Sequence, residues 1–117
     1  MSPDVHDFLR ICLRVTLAQG YGLTETVGGI SLSDRDDLSV GRVGRPLPGV
    51  SVKIQNWEEG GYTVADEQGP RGEIIIGGDI VAKGYYEMPE KTAESFYEED
   101  GTRWFRTGDI GQVIIAT

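Results

Sequence analysis

The sequence has 117 residues, enough for one domain of ordinary size. This length is expected to exclude a fold that needs two separate cores. It carries 11 Lys and Arg against 19 Asp and Glu, a formal net charge of −8 without a basic stripe, so nucleic acid is not an expected partner. One cysteine, Cys12, excludes an internal disulfide. No apolar run approaches the ~20 residues that span a bilayer.

The chain begins with the pattern of a capped amphipathic helix. Ser2 suits the N-cap and Pro3 the first helical position. An apolar stripe with helical spacing follows, formed by Val5, Phe8, Leu9, Cys12 and Leu13. Residues 15–19 are short, apolar and β-branched at their start, which predicts a buried strand, and a loop is expected from Gly20.

The rest of the chain alternates short strands with turns, in keeping with its 17 glycines. Residues 50–55 alternate as a half-buried strand does, and residues 74–76 are a run of three isoleucines. Residues 89–96 begin with proline and acid, as a helix does, and Asp100-Gly101 predicts a hairpin turn. We therefore predict an α+β fold, mostly β after residue 40.

Several chemically capable side chains are expected to be structural. His6 falls on the polar side of the first helix and should be solvated, whereas Cys12 should pack in its apolar stripe. The acidic runs 34–37 and 98–100 lack the ligand spacing of a calcium loop and are expected to be solvated. Glu73 heads the isoleucine strand and should make a structural pair there.

Residues 19–26, Gln-Gly-Tyr-Gly-Leu-Thr-Glu-Thr, combine the groups that a nucleotide site needs. The backbone at Gly20 and Gly22 can approach a ligand closely, Tyr21 offers a ring face to a base, Thr24 can donate to a phosphate oxygen, and Glu25 can ligate Mg²⁺. An alternative stays open at this point. Gly-Tyr-Gly would then be only a turn, with Tyr21 filling a gap and Glu25 capping the next segment.

Three ordered segments resemble the adenylate-forming superfamily. The first is the Tyr-Gly-x-Thr-Glu signature at Tyr21. The second is Gly72-Glu73-Ile-Ile-Ile-Gly-Gly with Gly84-Tyr85, and the third is Phe105-Arg-Thr-Gly-Asp109. Within the superfamily, the chain looks most like the animal long-chain fatty-acid CoA ligases.

The resemblance implies roles for individual residues. Tyr21 would stack on adenine, Thr24 would contact the phosphates and Glu25 would ligate Mg²⁺, the last two being the catalytic residues. Asp109 would accept hydrogen bonds from both ribose hydroxyls, and the backbone of Gly20 and Gly22 would approach the base and the acyl carboxylate. ATP or AMP, Mg²⁺ and coenzyme A are the implied cofactors and co-substrates, and a fatty acid is the substrate.

The resemblance also implies a domain organisation. Residues 1–117 would be part of an N-terminal AMP-binding domain. Residues 1–40 would end an α/β subdomain, and residues 41–117 would form a β-rich, barrel-like subdomain. The family's phosphate loop precedes the first motif, and its hinge, ribose-binding arginine and adenylation lysine follow the third. The piece is therefore expected to be incompetent alone, and its tail, 112–117, departs from the family pattern.

Activation of a fatty acid through an acyl-adenylate is the function that this resemblance implies. Two alternatives remain open: a non-catalytic, truncated nucleotide-binding isoform, and an acidic β-rich interaction module without a small ligand. The resemblance implies an intracellular protein. Full-length members sit on endoplasmic reticulum, mitochondrial outer membrane, peroxisome or lipid droplet, whereas this piece is expected to be soluble and to reach membranes only through upstream parts.

Overall fold

A computed structural model describes residues 1–115. The chain divides into two compact units, Met1–Pro48 and Gly49–Thr117, called the first and second unit below. Over the described residues, two α-helices and two antiparallel sheets confirm the predicted α+β class. Each unit has buried apolar residues of its own, Ile30 in the first and Ile75 in the second. No helix within residues 1–115 has the length and apolar character to cross a membrane.

The first helix, α1, spans Pro3–Leu13 and begins where the sequence predicted. The Ser2 hydroxyl accepts a hydrogen bond from the Val5 amide at 3.4 Å, and proline follows the cap directly. Arg14, with φ of 52° in the left-handed region, ends the helix. Cap and proline together explain the start of the helix, because they satisfy or remove amide donors that lack an intrahelical acceptor.

The face that α1 buries differs from the predicted one, although Leu9 of the predicted stripe is half-buried. His6 is 1% exposed, and its Nε2 donates to the Leu17 carbonyl oxygen at 2.6 Å. Phe8 is 65% exposed and Cys12 is also exposed, so neither packs as expected. The helix turns its histidine side inward because the extended segment after it presents a carbonyl oxygen that requires a donor.

The first sheet runs in the order β1-β2-β3, with β1 at Gly20–Leu23, β2 at Gly28–Leu32 and β3 at Arg45–Pro46. The strand predicted for residues 15–19 was wrong, and so was the loop predicted from Gly20. Within the described chain, residues 15–19 pair with no strand, whereas residues 20–23 pair antiparallel with β2. Hydrogen-bonded partners, rather than apolar character, decide where this strand forms.

The second unit holds the other sheet, in the order β4-β5-β7-β6. Its elements are β4 Ser51–Gln55, β5 Arg71–Gly77, α2 Pro89–Ser95, β6 Phe96–Glu99 and β7 Thr102–Gln112. The predicted strands and second helix are confirmed to within a few residues. The barrel-like expectation was wrong, because the sheet is open and β4 and β6 form its two edges. Of the tail, Ala116 and Thr117 lie outside the described residues.

The predicted turn at Asp100-Gly101 joins β6 to β7. Asp100 has φ of 52° and Gly101 has φ of 76°, and Glu99 pairs with Thr102. Two successive left-handed residues define the two-residue turn whose twist matches that of the flanking strands. The hairpin prediction is therefore confirmed.

Buried side chains of β5 and its neighbours form the core of the second unit. Ile75 and Ile76 are fully buried, and Phe96 and Phe105 lie in contact with ring centroids 4.8 Å apart.

Lys53 of β4 lies over the Trp104 ring, 4.0 Å from its centroid. Although desolvation opposes its charge, hydrogen bonding to Tyr97 and Glu99 gives Lys53 a net rise in pKa.

Truncation of a buried isoleucine tests this core. We expect Ile76→Ala to lower the free energy of unfolding by about 2–5 kcal/mol, because it removes fully buried methyl groups and leaves a cavity. Urea unfolding followed by tryptophan fluorescence reports on this unit, which contains both tryptophans. The matched control, Ile115→Ala, is 71% exposed and should change stability by less than about 0.5 kcal/mol. Equal losses would contradict the assigned core.

Candidate functional site

Gly20, Tyr21 and Gly22 lie on β1, which approaches β2 closely. A Cβ atom at Gly22 would lie 2.4 Å from the Gly28 carbonyl oxygen, nearer than real contacts allow. At Gly20 the corresponding distance to the Ser31 oxygen is 3.0 Å. Close approach of two strands therefore accounts for glycine at position 22, independently of any ligand.

Thr24 and Glu25 lie on a one-turn 3₁₀ helix, Thr24–Thr26, that follows β1 directly. Thr24 is exposed, and Tyr21 and Glu25 are half-buried. The predicted residues Gly20, Tyr21, Gly22, Thr24 and Glu25 are thus brought together on one short segment of the first unit.

Thr26 is a structural residue that the sequence analysis missed. It is 1% exposed, and its hydroxyl accepts from the Leu23 amide at 3.2 Å. The same hydroxyl lies 3.0 Å from the Leu23 carbonyl oxygen and 3.1 Å from that of Gly28, either of which can accept its proton. Threonine hydroxyls often bond nearby backbone groups in turns, but no spacing in the sequence indicated that this one would be buried.

Glu25 offers the chemistry that magnesium prefers, since its carboxylate supplies hard oxygen ligands. Within residues 1–115, no group of three His, Cys, Asp or Glu side chains could hold a metal ion. Mg²⁺ usually keeps several waters and binds one or two carboxylates together with substrate phosphates, so a lone glutamate fits a metal that arrives with a nucleotide.

The third motif forms a bulge in β7. Arg106 pairs with Ile75 and Ile110 pairs with Glu73, so three residues of β7, 107–109, face the single residue Ile74 of β5. Gly108 has φ of 71°, which favours glycine. Asp109 is exposed in this bulge. Bulges re-aim side chains, and this one interrupts a ladder that is regular on both sides.

Two side chains hold the bulge. The Thr107 hydroxyl donates to the Ile74 carbonyl oxygen at 2.7 Å and accepts from the Asp109 amide at 3.0 Å. Glu73 Oε1 accepts from the Gly108 amide at 3.3 Å, and its Oε2 lies 3.5 Å from Arg106 Nη2. The structural pairing predicted for Glu73 is confirmed by these contacts.

The Gly84-Tyr85 element lies against α2 and β6. The Tyr85 amide donates to the Thr92 hydroxyl at 2.9 Å, and the Tyr85 ring meets Phe96 edge-on at 5.4 Å between centroids. Arg103 Nε donates to the Ala82 carbonyl oxygen at 2.8 Å. These contacts give the second motif a structural role in the second unit.

The acidic runs, expected to be solvated, also carry structural contacts. Asp34 pairs with Arg45, and Asp37 Oδ1 accepts from the Ser39 amide at 2.9 Å. Hydrogen bonds from Ser39 hold the pKa of Asp37 below its ordinary value. In the second run, Glu99 pairs with Lys53 at 3.3 Å.

Comparison with known proteins matches residues 1–86 to the AMP-binding enzyme family. Over 96% of its length the chain is 53% identical to the Long chain acyl-CoA synthetase 8 of Arabidopsis thaliana, and over 95% it is 48% identical to the peroxisomal Long chain acyl-CoA synthetase 7 of that plant. It spans 16% and 15% of those relatives.

A solved structure shows the same fold. The A domain of carboxylic acid reductase from Segniliparus rugosus, in complex with AMP and a co-purified carboxylic acid, superposes with a TM-score of 0.76 at 34% identity. The match covers 98% of this chain and 16% of that one.

A methyl group at position 22 tests the role of the close strand approach. We expect Gly22→Ala to accelerate hydrogen exchange of the β1 and β2 amides about tenfold or more, because its Cβ would meet a backbone oxygen that cannot move freely. Gly29→Ala is the control, since its Cβ would meet only the Leu47 Cδ1 atom, at 3.3 Å. Similar exchange in both variants would show that the approach is looser than described.

Proposed function

The chain belongs to the AMP-binding enzyme family, and on that premise we propose that it supplies part of the nucleotide site of an ATP-dependent long-chain fatty acid–CoA ligase. The observation that carries this proposal is the similarity of nearly the whole of this chain to parts of two long chain acyl-CoA synthetases, together with the three motifs in order. The solved relative, which holds AMP together with a carboxylic acid, supports a nucleotide and a carboxylate as the ligands of this fold.

The proposed reaction has two steps. The fatty-acid carboxylate attacks the α-phosphorus of ATP, so that a P–O bond forms and pyrophosphate leaves. The thiol sulfur of coenzyme A then attacks the acyl carbon, and AMP leaves with the bonding electron pair. Residues 1–117 would be part of the domain that binds the nucleotide through both steps, with 1–40 as the end of an α/β subdomain and 41–117 as a β-rich subdomain.

Each proposed contact follows from the chemistry of its side chain. Tyr21 stacks its ring on adenine, and the Thr24 hydroxyl donates to a phosphate oxygen. The Asp109 carboxylate accepts from the two ribose hydroxyls, and such charge-assisted bonds are stronger than neutral ones. Glu25 would hold Mg²⁺, which when bound offsets negative charge on the triphosphate. The backbone of Gly20 and Gly22 approaches the base and the acyl carboxylate.

The chain spans about one sixth of its relatives, so these residues are proposed as one contribution to a larger site. Fatty acid, ATP and coenzyme A are the proposed substrates of the whole enzyme. One relative is named as peroxisomal, and fluorescence localisation of the whole enzyme would test whether this protein shares that location.

Removal of the Asp109 carboxylate tests the ribose contact. In the Arabidopsis synthetase 8 carrying this chain in place of its matching segment, we expect Asp109→Ala to weaken AMP binding by at least about tenfold, because charge-assisted bonds worth about 1.5–3 kcal/mol each are lost. Calorimetry with AMP measures the change. Asp36→Ala, another exposed aspartate, should leave affinity unchanged. Undiminished binding by Asp109→Ala would refute the ribose assignment.

Neutralising Glu25 tests the metal contact. We expect Glu25→Gln in the same chimera to weaken binding of ATP with Mg²⁺ about tenfold, while binding of AMP in EDTA changes less than twofold, because glutamine keeps the shape but loses the anionic ligand. Glu67→Gln, on an exposed turn, is the control. A loss of equal size with and without the metal would assign Glu25 a structural role instead.

A further inference from the structure

The bulge at residues 107–109 has to place the Asp109 carboxylate accurately. A carboxylate that must meet two adjacent hydroxyl groups needs a fixed backbone, yet Asp109 follows a glycine and lies outside the regular ladder between β5 and β7. An unsupported bulge of this kind would sample several conformations, and ordering it on binding would cost about 1–2 kcal/mol per residue. Support from neighbouring side chains removes that cost in advance.

The Thr107 hydroxyl provides one support. It links the Ile74 carbonyl oxygen, at 2.7 Å, to the Asp109 amide, at 3.0 Å. It thereby replaces the direct ladder bond that the bulge interrupts, and both its donor and its acceptor capacity are used. The amide that it holds belongs to Asp109 itself, so this contact fixes the backbone from which the carboxylate projects.

Glu73 provides the second support, from the neighbouring strand. Its side chain is 19% exposed, and its Oε1 accepts from the Gly108 amide at 3.3 Å. Arg106 lies 3.5 Å from the other carboxylate oxygen and also 3.5 Å from Gln55 Oε1, which links the glutamate to β4. The peptide unit between Thr107 and Gly108 is thus held from β5, and the unit between Gly108 and Asp109 is held by the Thr107 hydroxyl.

We propose that Glu73 and Thr107 are positioning residues that pre-organise Asp109 for its ligand, a vicinal diol of the ribose type. The proposal rests on the proposed function for the identity of that ligand. Neither residue touches the diol. Their effect on binding passes through Asp109, and this dependence separates positioning from a general contribution to stability.

Hydrogen exchange of backbone amides in the full 117-residue chain tests, without any ligand, whether Thr107 and Glu73 hold the backbone of the bulge. We expect Thr107→Val to accelerate exchange of the Asp109 amide about five- to tenfold, and Glu73→Ala to do the same for Gly108, because each amide loses its acceptor. Thr107→Ser and Glu73→Gln keep an acceptor oxygen and should restore slow exchange. The Ile76 amide in the sheet interior, unchanged in all four variants, shows that the unit remains folded. Unaltered exchange at positions 108 and 109 would overturn the proposal.

A double-mutant cycle in the chimeric synthetase tests the functional half. We expect Thr107→Val to weaken AMP binding about fivefold in the parent chimera and less than twofold when Asp109→Ala is already present. Binding of 2′,3′-dideoxy-AMP, which lacks the diol, should be insensitive to Thr107→Val. The positioning role would be overturned if Thr107→Val weakened binding of both nucleotides equally, or weakened AMP binding equally with and without Asp109→Ala. Thr107 would then have only a structural role.

The two proposals fail in different ways. If Asp109→Ala leaves AMP affinity unchanged, the ribose contact of the proposed function is wrong, whatever the exchange data show. If Asp109→Ala weakens binding but Thr107→Val and Glu73→Ala do not, the ribose contact stands and the positioning role is wrong.

Discussion

The antiparallel pairing of β5 with β7 is the contact on which the second unit depends. β5 is an interior strand that buries Ile75 and Ile76 completely, and β7 supplies Phe105 to the same core. Because the register is fixed on both sides of Ile74, the extra residues of β7 have to leave the sheet at one place only. The exposed carboxylate at Asp109 is thus located by the packing of apolar side chains that never meet a ligand.

Threonine hydroxyls solve the same local problem in both units. In the first, Thr26 bonds the backbone around the turn after β1, and in the second, Thr107 bonds the backbone of the bulge. Each hydroxyl accepts from a backbone amide and lies within hydrogen-bond distance of a backbone carbonyl oxygen. Short irregular segments beside the proposed ligand contacts are therefore held by side chains of the segments themselves.

The sequence predicted elements whose cause is local. The Ser2 cap with its proline, the isoleucine run of β5 and the Asp100-Gly101 turn all formed where expected, because each depends on neighbouring residues. The predictions for the buried face of α1 and for residues 15–19 were wrong, because they depend on how these segments meet their neighbours. Periodicity identified the apolar stripe of α1, but the carbonyl of Leu17 decided that His6 would be buried.

The candidate site shows the same division. The motif at Tyr21 and the carboxylate at Asp109 could be recognised as chemically suitable, and their proposed roles come from family resemblance. The bulge gave no periodic signal, since a lone Gly108 is compatible with many turns. Its support by Glu73 depends on the register between two strands, which brings together residues 35 positions apart in sequence. Thr26 was overlooked because its structural role depends on its burial, and the burial of a threonine side chain cannot be read from this sequence.

The outward face of α1 has a consequence for handling the chain in concentrated solution. Phe8, Ile11 and Leu13 are 65%, 73% and 59% exposed on one short helix. Burying such surface is worth about 25 cal/mol per Å², so two molecules that meet through these helices gain free energy without any designed fit. The tendency of the chain to associate through this face would therefore rise with its concentration.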